Sequence, residues 1–311
     1  MHRQAGTRRR TRVVLARTLA AIFAVAAALT LAAGTASAAT GPPTLDLKGP
    51  KKPGLLDRVI ATGTVPGFAG EQVTIKVSAS GRDVGGGKVA PSGDGRFSFP
   101  FVIDACCAYE VTATAAGQSS HARRFTVKVP KHLGKGAVTR LYNDRLRERG
   151  YYVGHAGNRF GMGSRLGTLA FRKVNGMGRR TGYLPAIFKK LLRGEGAFRP
   201  RFDDGHHVET DLSRQVMALI DGGKPVATFH ISSGTGATPT VRGNFRFYMK
   251  QPGYNSKRMY YSVYFIGGYA THGYNPVPTY PASHGCLRNP IPFSRYIYNW
   301  INIGDPMHVY G

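Results

Sequence analysis

Apolar residues in this chain recur with a period of two in two long stretches and with a period near 3.6 in the stretch between them. A period-two pattern places alternate side chains on opposite faces of a strand, and a 3.6 pattern places them on one face of a helix. The chain is therefore constrained to a β–α–β order of modules. In residues 39–130 the alternating runs are Val73-Thr74-Ile75-Lys76-Val77, Phe97-Ser98-Phe99-Pro100-Phe101, Tyr109-Glu110-Val111-Thr112-Ala113 and Arg124-Phe125-Thr126-Val127-Lys128-Val129. Turns such as Ser92-Gly93-Asp94-Gly95 separate them, as expected of an antiparallel β-sandwich.

Residues 131–199 change character. Val138, Leu141, Tyr142 and Leu146 fall at helical spacing, and further helices are predicted over Leu166–Val174 and Pro185–Leu192. Residues 200–311 return to strands: Val208–Leu212, Gln215–Ile220, Val226–Ile231, Gly243–Met249 and Tyr260–Ile266. Asp221-Gly222-Gly223-Lys224 has the composition of a hairpin turn. Only Phe293–Ile303 reads as helix in this part. The fold class is multi-domain and mainly β: an N-terminal β-sandwich, a small three-helix module and a C-terminal β-rich domain.

The first residues give the expected destination. Residues 1–17 carry six arginines and no acid, an apolar run follows from about Leu19 to Ala33, and Ala36-Ser37-Ala38 supplies an A-x-A cleavage site. That layout predicts a secretory signal peptide over residues 1–38, with an uncleaved membrane anchor as the competing reading. The mature protein is expected to be secreted and cell-wall associated, with membrane contact only through the signal before cleavage. Export excludes nucleic acid as a partner.

Charge then points to where the protein sits. The chain has 43 Lys+Arg against 16 Asp+Glu, a formal net charge of +27. Residues 131–199 hold 16 basic residues against 3 acidic ones, whereas each β-rich part nets only +4. The excess is concentrated in the helical part, which predicts anionic cell-wall polymers as a partner.

There are three cysteines. In an oxidising compartment an odd count leaves one thiol unpaired. Cys286 is the candidate; Cys106 and Cys107 are adjacent and are either a vicinal disulfide or a buried thiol beside an exposed one. The chemistry is concentrated near Cys286. Ala270-Thr271-His272-Gly273 and Ser283-His284-Gly285-Cys286-Leu287-Arg288 place one Cys, two His, Gly and Arg within seventeen residues. A thiol becomes a strong nucleophile when a base takes its proton. Flanking glycines let backbone N–H groups approach a developing oxyanion. Zinc is the rival use of Cys286 and the histidines, including His206-His207, but the spacing fits no common zinc pattern. His206 and His207 are expected in an exposed inter-domain loop with a solvated Asp203-Asp204.

His-Gly, a loop, and then Ser-His-Gly-Cys-Leu-Arg resembles the active-site signature of the L,D-transpeptidase (YkuD-like) catalytic domain. The upstream order agrees: Asp211-Leu212-Ser213-Arg214-Gln215, Ser232-Ser233-Gly234, then Thr238-Pro239-Thr240-Val241-Arg242-Gly243-Asn244-Phe245. Gly304-Asp305 and His308-Val309 are similar to the closing strand of that domain. One departure is Asn289, where the family usually has an apolar residue, and it is expected to alter the pocket wall. The helical segment, through Leu141-x4-Leu146-x3-Gly150-Tyr151, Gly157-x2-Phe160-Gly161 and Leu169-Ala170-Phe171-Arg172, resembles a three-helix peptidoglycan-binding module, although Arg172 stands where Gln is usual. The N-terminal stretch resembles bacterial immunoglobulin-like modules. The implied boundaries are 39–130, 131–199 and 200–311.

The resemblance implies a peptidoglycan L,D-transpeptidase that cross-links stem peptides through a cysteine thioester and releases D-Ala. Within it Cys286 is implied as nucleophile and His272 as general base, oriented by a carbonyl at Gly273. Gly285 is implied in the oxyanion hole with the Cys286 N–H, and His284 beside it. Arg288, Ser283, Tyr261 and Tyr274 are expected to contact substrate. No metal or cofactor is needed, and carbapenem sensitivity is expected. Alternatives are an L,D-carboxypeptidase cutting the same bond and a non-catalytic peptidoglycan-binding protein.

Overall fold

The computed structural model describes residues 41–311. The signal-peptide expectation for residues 1–38 falls outside the described residues. The N-terminal part has eight strands: β1 (Asp46–Lys48), β2 (Arg58–Thr64), β3 (Val73–Ala79), β4 (Arg82–Val89), β5 (Arg96–Val102), β6 (Cys107–Ala115), β7 (Gln118–Ser119) and β8 (Arg123–Val127). They form one sheet ordered β1-β2-β5 and a second ordered β4-β3-β6-β7, with β8 also pairing with β6. Alternation decides which face is buried: along β3, Val73, Ile75, Val77 and Ala79 point inward and Thr74 and Lys76 outward. Val59, Ala61 and Phe97 of one sheet share an apolar core with Val73, Ile75, Val111 and Ala113 of the other. Cys106 and Cys107 are joined as a vicinal disulfide at the entry to β6.

Three helices follow: α1 (Ala137–Glu148), α2 (Met162–Val174) and α3 (Pro185–Leu192). Their apolar faces meet around Tyr142, which is fully buried and surrounded edge-on by Phe160, Tyr183 and Phe188. The Tyr142 hydroxyl keeps a partner in the core, 2.8 Å from the Thr168 hydroxyl. Pro185 opens α3, where a missing N–H costs nothing.

The C-terminal part contains two sheets. One is ordered β11-β10-β9-β17-β12, from β9 (His207–Asp211), β10 (Val216–Asp221), β11 (Lys224–His230), β12 (Gly243–Arg246) and β17 (Pro306–Tyr310). The other is ordered β13-β14-β15-β16, from β13 (Met249–Tyr254), β14 (Tyr260–Ile266), β15 (Tyr269–Tyr274) and β16 (Leu287–Pro290). Helix α4 (Ile291–Trp300) packs on β14, β15 and β16. The β10–β11 hairpin turns at Asp221–Lys224. Gly243–Met249 differs from the single strand expected. Its backbone breaks after Arg246, so β12 and β13 belong to different sheets, and Phe247 between them is buried with its N–H on Asp305 O.

The helices do not stand apart from this β-rich part. Helix α2 packs on β10 and β11, and Tyr152 N donates to Thr228 O of β11. Tyr152 also packs edge-on against Phe293 and at a tilt against Phe229 and Tyr296. None of the described helices is long and apolar enough to cross a membrane.

Candidate active site

The two sequence segments singled out for chemistry run side by side. Strand β15 carries His272, and β16, which begins one residue after Cys286, pairs with it in parallel, with Thr271 opposite Leu287 and His272 opposite Arg288. Residues 275–286 connect the two strands, so His272 and Cys286 are brought together by the chain's return to the same sheet edge. Both line one open cavity of about 440 Å³.

The imidazole is anchored. His272 Nδ1 lies 3.0 Å from the Gly273 carbonyl oxygen. A carbonyl can only accept, so Nδ1 carries the hydrogen and Nε2 keeps its lone pair. Burial pushes the His272 pKa down to about 4, the Gly273 carbonyl works against that shift, and the Arg288 guanidinium adds to it. The ring is therefore neutral at neutral pH. Gly273 is needed here because a Cβ would run into the Ser294 hydroxyl of α4.

Cys286 is a free thiol. It donates to Gly268 O at 3.6 Å, and among the described residues no hydrogen bond joins it to His272. Burial raises its pKa above the usual thiol value, opposed by the Ala270 N–H and the charges of Lys257 and Arg288. Thiol and imidazole thus rest as a neutral pair.

The turn before Cys286 is held from several sides. Ser283 Oγ donates to Cys286 O at 2.5 Å and accepts from Gly285 N–H at 3.1 Å. Thr240 Oγ1 accepts from Gly234 N–H at 2.9 Å and donates to Gly285 O at 2.7 Å. Thr238 Oγ1 and Thr235 N–H both donate to Ser283 O. This is the local reason for the Thr-Pro-Thr segment: its hydroxyls clamp the turn that presents the thiol. Gly285 sits at φ +112°, a region open to glycine, and a Cβ there would meet the Tyr269 ring.

The other expected contacts divide. Tyr274, Ser283, His284 and Arg288 line the cavity. His284 is exposed. Arg288 lies with its guanidinium 4.2 Å from the Tyr274 ring centroid, while its backbone exchanges 2.9 Å hydrogen bonds with Ser232. Tyr261 does not line the cavity; its ring packs edge-on against Tyr260 and Tyr298. The Ser283 hydroxyl and the Gly285 N–H are already engaged with each other. Asn289 is not a wall residue: it is buried, donates to Thr271 Oγ1 at 3.1 Å and accepts from Ser294 Oγ at 2.6 Å.

Two further expectations are corrected by the fold. His207 is fully buried at the start of β9, 3.1 Å from the equally buried Glu209, and His206 stacks on Trp300. The exposed loop expected there is a strand entry closed over by nonlocal partners. Asp204 accepts from His308 Nε2 at 2.6 Å instead of facing only water.

Sequence reasoning missed the far wall. Gln251, Asn255, Lys257, Met259 and Tyr264, from the β13–β14 hairpin, complete the cavity. Asn255 Oδ1 accepts the N–H groups of Lys257 and Met259, which fixes the hairpin tip. Asn255-Ser256-Lys257 between two aromatic strands is a turn signal that could have located it.

Residues 205–309 match the family model described as the L,D-transpeptidase catalytic domain (YkuD). Among solved structures, the L,D-transpeptidase of Xylanimonas cellulosilytica is 30% identical over 59% of this chain and 98% of that one, with a TM-score of 0.54. The L,D-transpeptidase of Stackebrandtia nassauensis is 20% identical over 59% and 96% of the two chains, with a TM-score of 0.37. The catalytic domain of the E. faecium L,D-transpeptidase is 24% identical over 36% and 100%, with a TM-score of 0.32. No curated protein matches the chain. A β-rich domain with a free thiol and an anchored imidazole in one open cleft is the class this site defines. The chain belongs to the L,D-transpeptidase family.

Proposed function

We propose that this protein is a secreted, cell-wall-associated L,D-transpeptidase that cross-links peptidoglycan stem peptides through a thioester on Cys286. The observation that carries the reading is the free Cys286 thiol and the Nδ1-anchored His272 lining one cleft, in a chain of this family. Cys286 Sγ attacks the carbonyl at the L-centre of the third residue of a donor stem, and its proton passes to His272 Nε2. The C–N bond to the terminal D-Ala breaks, and the imidazolium returns the proton to the leaving amine. A side-chain amine of a second stem then attacks the thioester. The new amide forms, the surplus proton passes by way of His272, and the thiol is regenerated. Water in place of that amine gives L,D-carboxypeptidase activity.

Oxyanion stabilisation falls to the Cys286 N–H and to the Gly285 N–H once it leaves Ser283 Oγ, with His284 at the rim. Arg288, stacked on Tyr274, offers a guanidinium to a stem carboxylate. The reading takes residues 39–130 as an immunoglobulin-like spacer and the basic residues 131–199 as a peptidoglycan-binding-like module that holds the enzyme at anionic wall polymers.

The test is intact mass spectrometry after exposure to a carbapenem. The wild-type protein is expected to gain one adduct and Cys286→Ala none. An adduct persisting on Cys286→Ala would overturn the assignment. A tetrapeptide donor, with and without an acceptor stem, then separates cross-linking from hydrolysis by product mass.

A further inference from the structure

A buried lysine of the helical part reaches into the C-terminal part. Lys173, in the last turn of α2, is 3% exposed, and its Nζ lies 3.0 Å from Gln215 O, 3.2 Å from Ile231 O and 2.7 Å from His230 Nδ1. The other ring nitrogen of His230, Nε2, lies 3.1 Å from Val277 O. Since that carbonyl only accepts, Nε2 carries the hydrogen and Nδ1 receives one from Lys173. Three acceptors surround this one amine, and burial and the nearby Arg179 push the Lys173 pKa down to about 6. Among the described residues no carboxylate is paired with Lys173. A buried amine is costly in a core, whether charged or neutral, so an alkyl side chain would serve better unless the donors have a task.

The task is visible in what the donors reach. Val277 belongs to residues 275–282, the connection that leads from His272 on β15 to the Ser283–Cys286 turn. Three carbonyls of that connection are held by side chains: Val277 O by His230, Thr279 O by Arg179 Nη1 at 3.0 Å, and Tyr280 O by Ser232 Oγ at 2.7 Å. Arg179 also donates to Ser213 O through Nη2 at 2.9 Å. One of these clamps comes directly from the helical part and a second is oriented by it through His230.

We propose that Lys173 and Arg179 are positioning residues for the active site, so that the helical part is a working component of the transfer reaction and not only an anchor to the wall. Lys173 fixes the tautomer and rotamer of His230, His230 holds Val277, and Arg179 holds Thr279. Together they set the path of the connection that presents Cys286 opposite His272. Misplacing a reacting group by about 1 Å can cost about a hundredfold in rate. The proposal rests on the reading of Cys286 as nucleophile.

The test compares carbapenem acylation of Cys286 with alkylation of the same thiol by iodoacetamide, on the full mature chain. Acylation needs the arranged site, whereas alkylation needs only an accessible thiol. Lys173→Met, close in length but without donors, is expected to slow acylation about tenfold or more while alkylation changes less than about threefold. His230→Leu should do the same. His230→Gln, which can still donate to Val277 and accept from Lys173, should recover acylation to within about threefold of wild type. Acylation of Lys173→Met at the wild-type rate overturns the proposal, and so does a parallel loss of both reactions that His230→Gln fails to rescue. If Lys173→Met does not fold, Arg179→Ala decides, because it removes only an exposed side chain. Slower acylation at unchanged Tm supports the proposal and unchanged acylation overturns it. Failure of the wild-type protein to acylate would instead count against the transpeptidase reading.

Discussion

The hydroxyl of Thr240 bridges two backbone segments, accepting from Gly234 N–H and lying 2.7 Å from the Gly285 carbonyl oxygen to which it donates. Gly285 immediately precedes the thiol, so this buried contact ties the turn that presents Cys286 to the chain leaving β11. Replacing Thr240 with Val keeps the shape and strands a buried N–H and a buried C=O, a loss of roughly 1–3 kcal/mol. Thr240→Val is expected to slow carbapenem acylation on the order of tenfold and to lower Tm, whereas Thr240→Ser stays near wild type in both. Stopped-flow absorbance of the carbapenem together with a thermal melt checks it. Equal rates for Val and Ser would show that the bridge plays no part in presenting the thiol.

A second buried network stands behind the imidazole. Asn289 donates to Thr271 Oγ1, next in sequence to His272, and accepts from Ser294 Oγ. Ser294 has a second acceptor in Pro290 O, whereas among the described residues Asn289 is the partner of Thr271 Oγ1. Asn289→Leu therefore leaves one buried hydroxyl without its donor and should destabilise the fold by roughly 1–3 kcal/mol. Chemical denaturation measures this through the midpoint at constant slope. A stabilised Asn289→Leu protein would mean that the apolar residue usual at this position also suits this core.

Close approach of α4 to β15 leaves no room at Gly273. Gly273→Ala would push Ser294 or the strand aside, with Tyr260 Cβ also within 3.2 Å of the added atom. Overpacking of this kind costs typically about 1–3 kcal/mol. Because the Gly273 carbonyl orients His272, acylation should fall with it. Combining Gly273→Ala with Ser294→Gly should restore part of the stability, and full additivity of the two losses would contradict the proposed clash.

Much of this arrangement was legible locally. Period-two alternation located β3, β5, β6 and β8, Pro185 marked the start of α3, and Asp221–Lys224 marked a hairpin. The Cys286 and His272 segments were legible because one thiol and two histidines fall within a short, glycine-flanked stretch. What failed to show was nonlocal. Alternation through Gly243–Met249 says nothing about which sheet a residue joins, so the break that sends β12 and β13 apart was invisible. His207 looks like a loop residue until Glu209 pairs with it, a buried carboxylate that also accepts from the Tyr310 hydroxyl and the N–H groups of Arg201 and Phe202. Lys173 and His230 are 57 residues apart, and no pattern in either segment announces the other. Tyr261, expected at the substrate, lies outside the cavity that holds Cys286; aromatic strand residues look alike in sequence whichever face they occupy.

The charge excess of residues 131–199 gives a prediction about the wall. If Lys and Arg side chains of this part bind anionic polymers, attraction is screened over about 8 Å at physiological ionic strength and over about 3 Å at 1 M. Retention on purified sacculi should fall steeply between low and high salt, while acylation of free protein by a carbapenem changes little. Retention that ignores salt would move the anchor to uncharged contacts.

The resting protonation of the site yields a pH prediction with a definite sign. Burial depresses His272 to about 4 and raises Cys286 above the ordinary thiol range. A preformed thiolate–imidazolium pair would need the opposite shifts, so thiolate content at pH 7 is low and the proton moves only as the carbonyl is attacked. Iodoacetamide alkylation of Cys286 should keep rising through pH 9, whereas a plateau with a midpoint below 7 would establish the ion pair. Stability follows from the same burial. A histidine whose folded pKa lies below its unfolded value of about 6.5 contributes stability that is present above that value and lost as pH falls through the folded pKa. For His272 the window is therefore about 6.5 down to 4, and the loss is on the order of 3 kcal/mol. His230, depressed to about 3 by burial and by Lys173, acts in the same direction over a window from about 6.5 down to 3. Tm should thus fall between pH 7 and pH 4, and His272→Asn should lessen the slope of that fall. A His272→Asn protein with the wild-type pH dependence would place the acid sensitivity elsewhere.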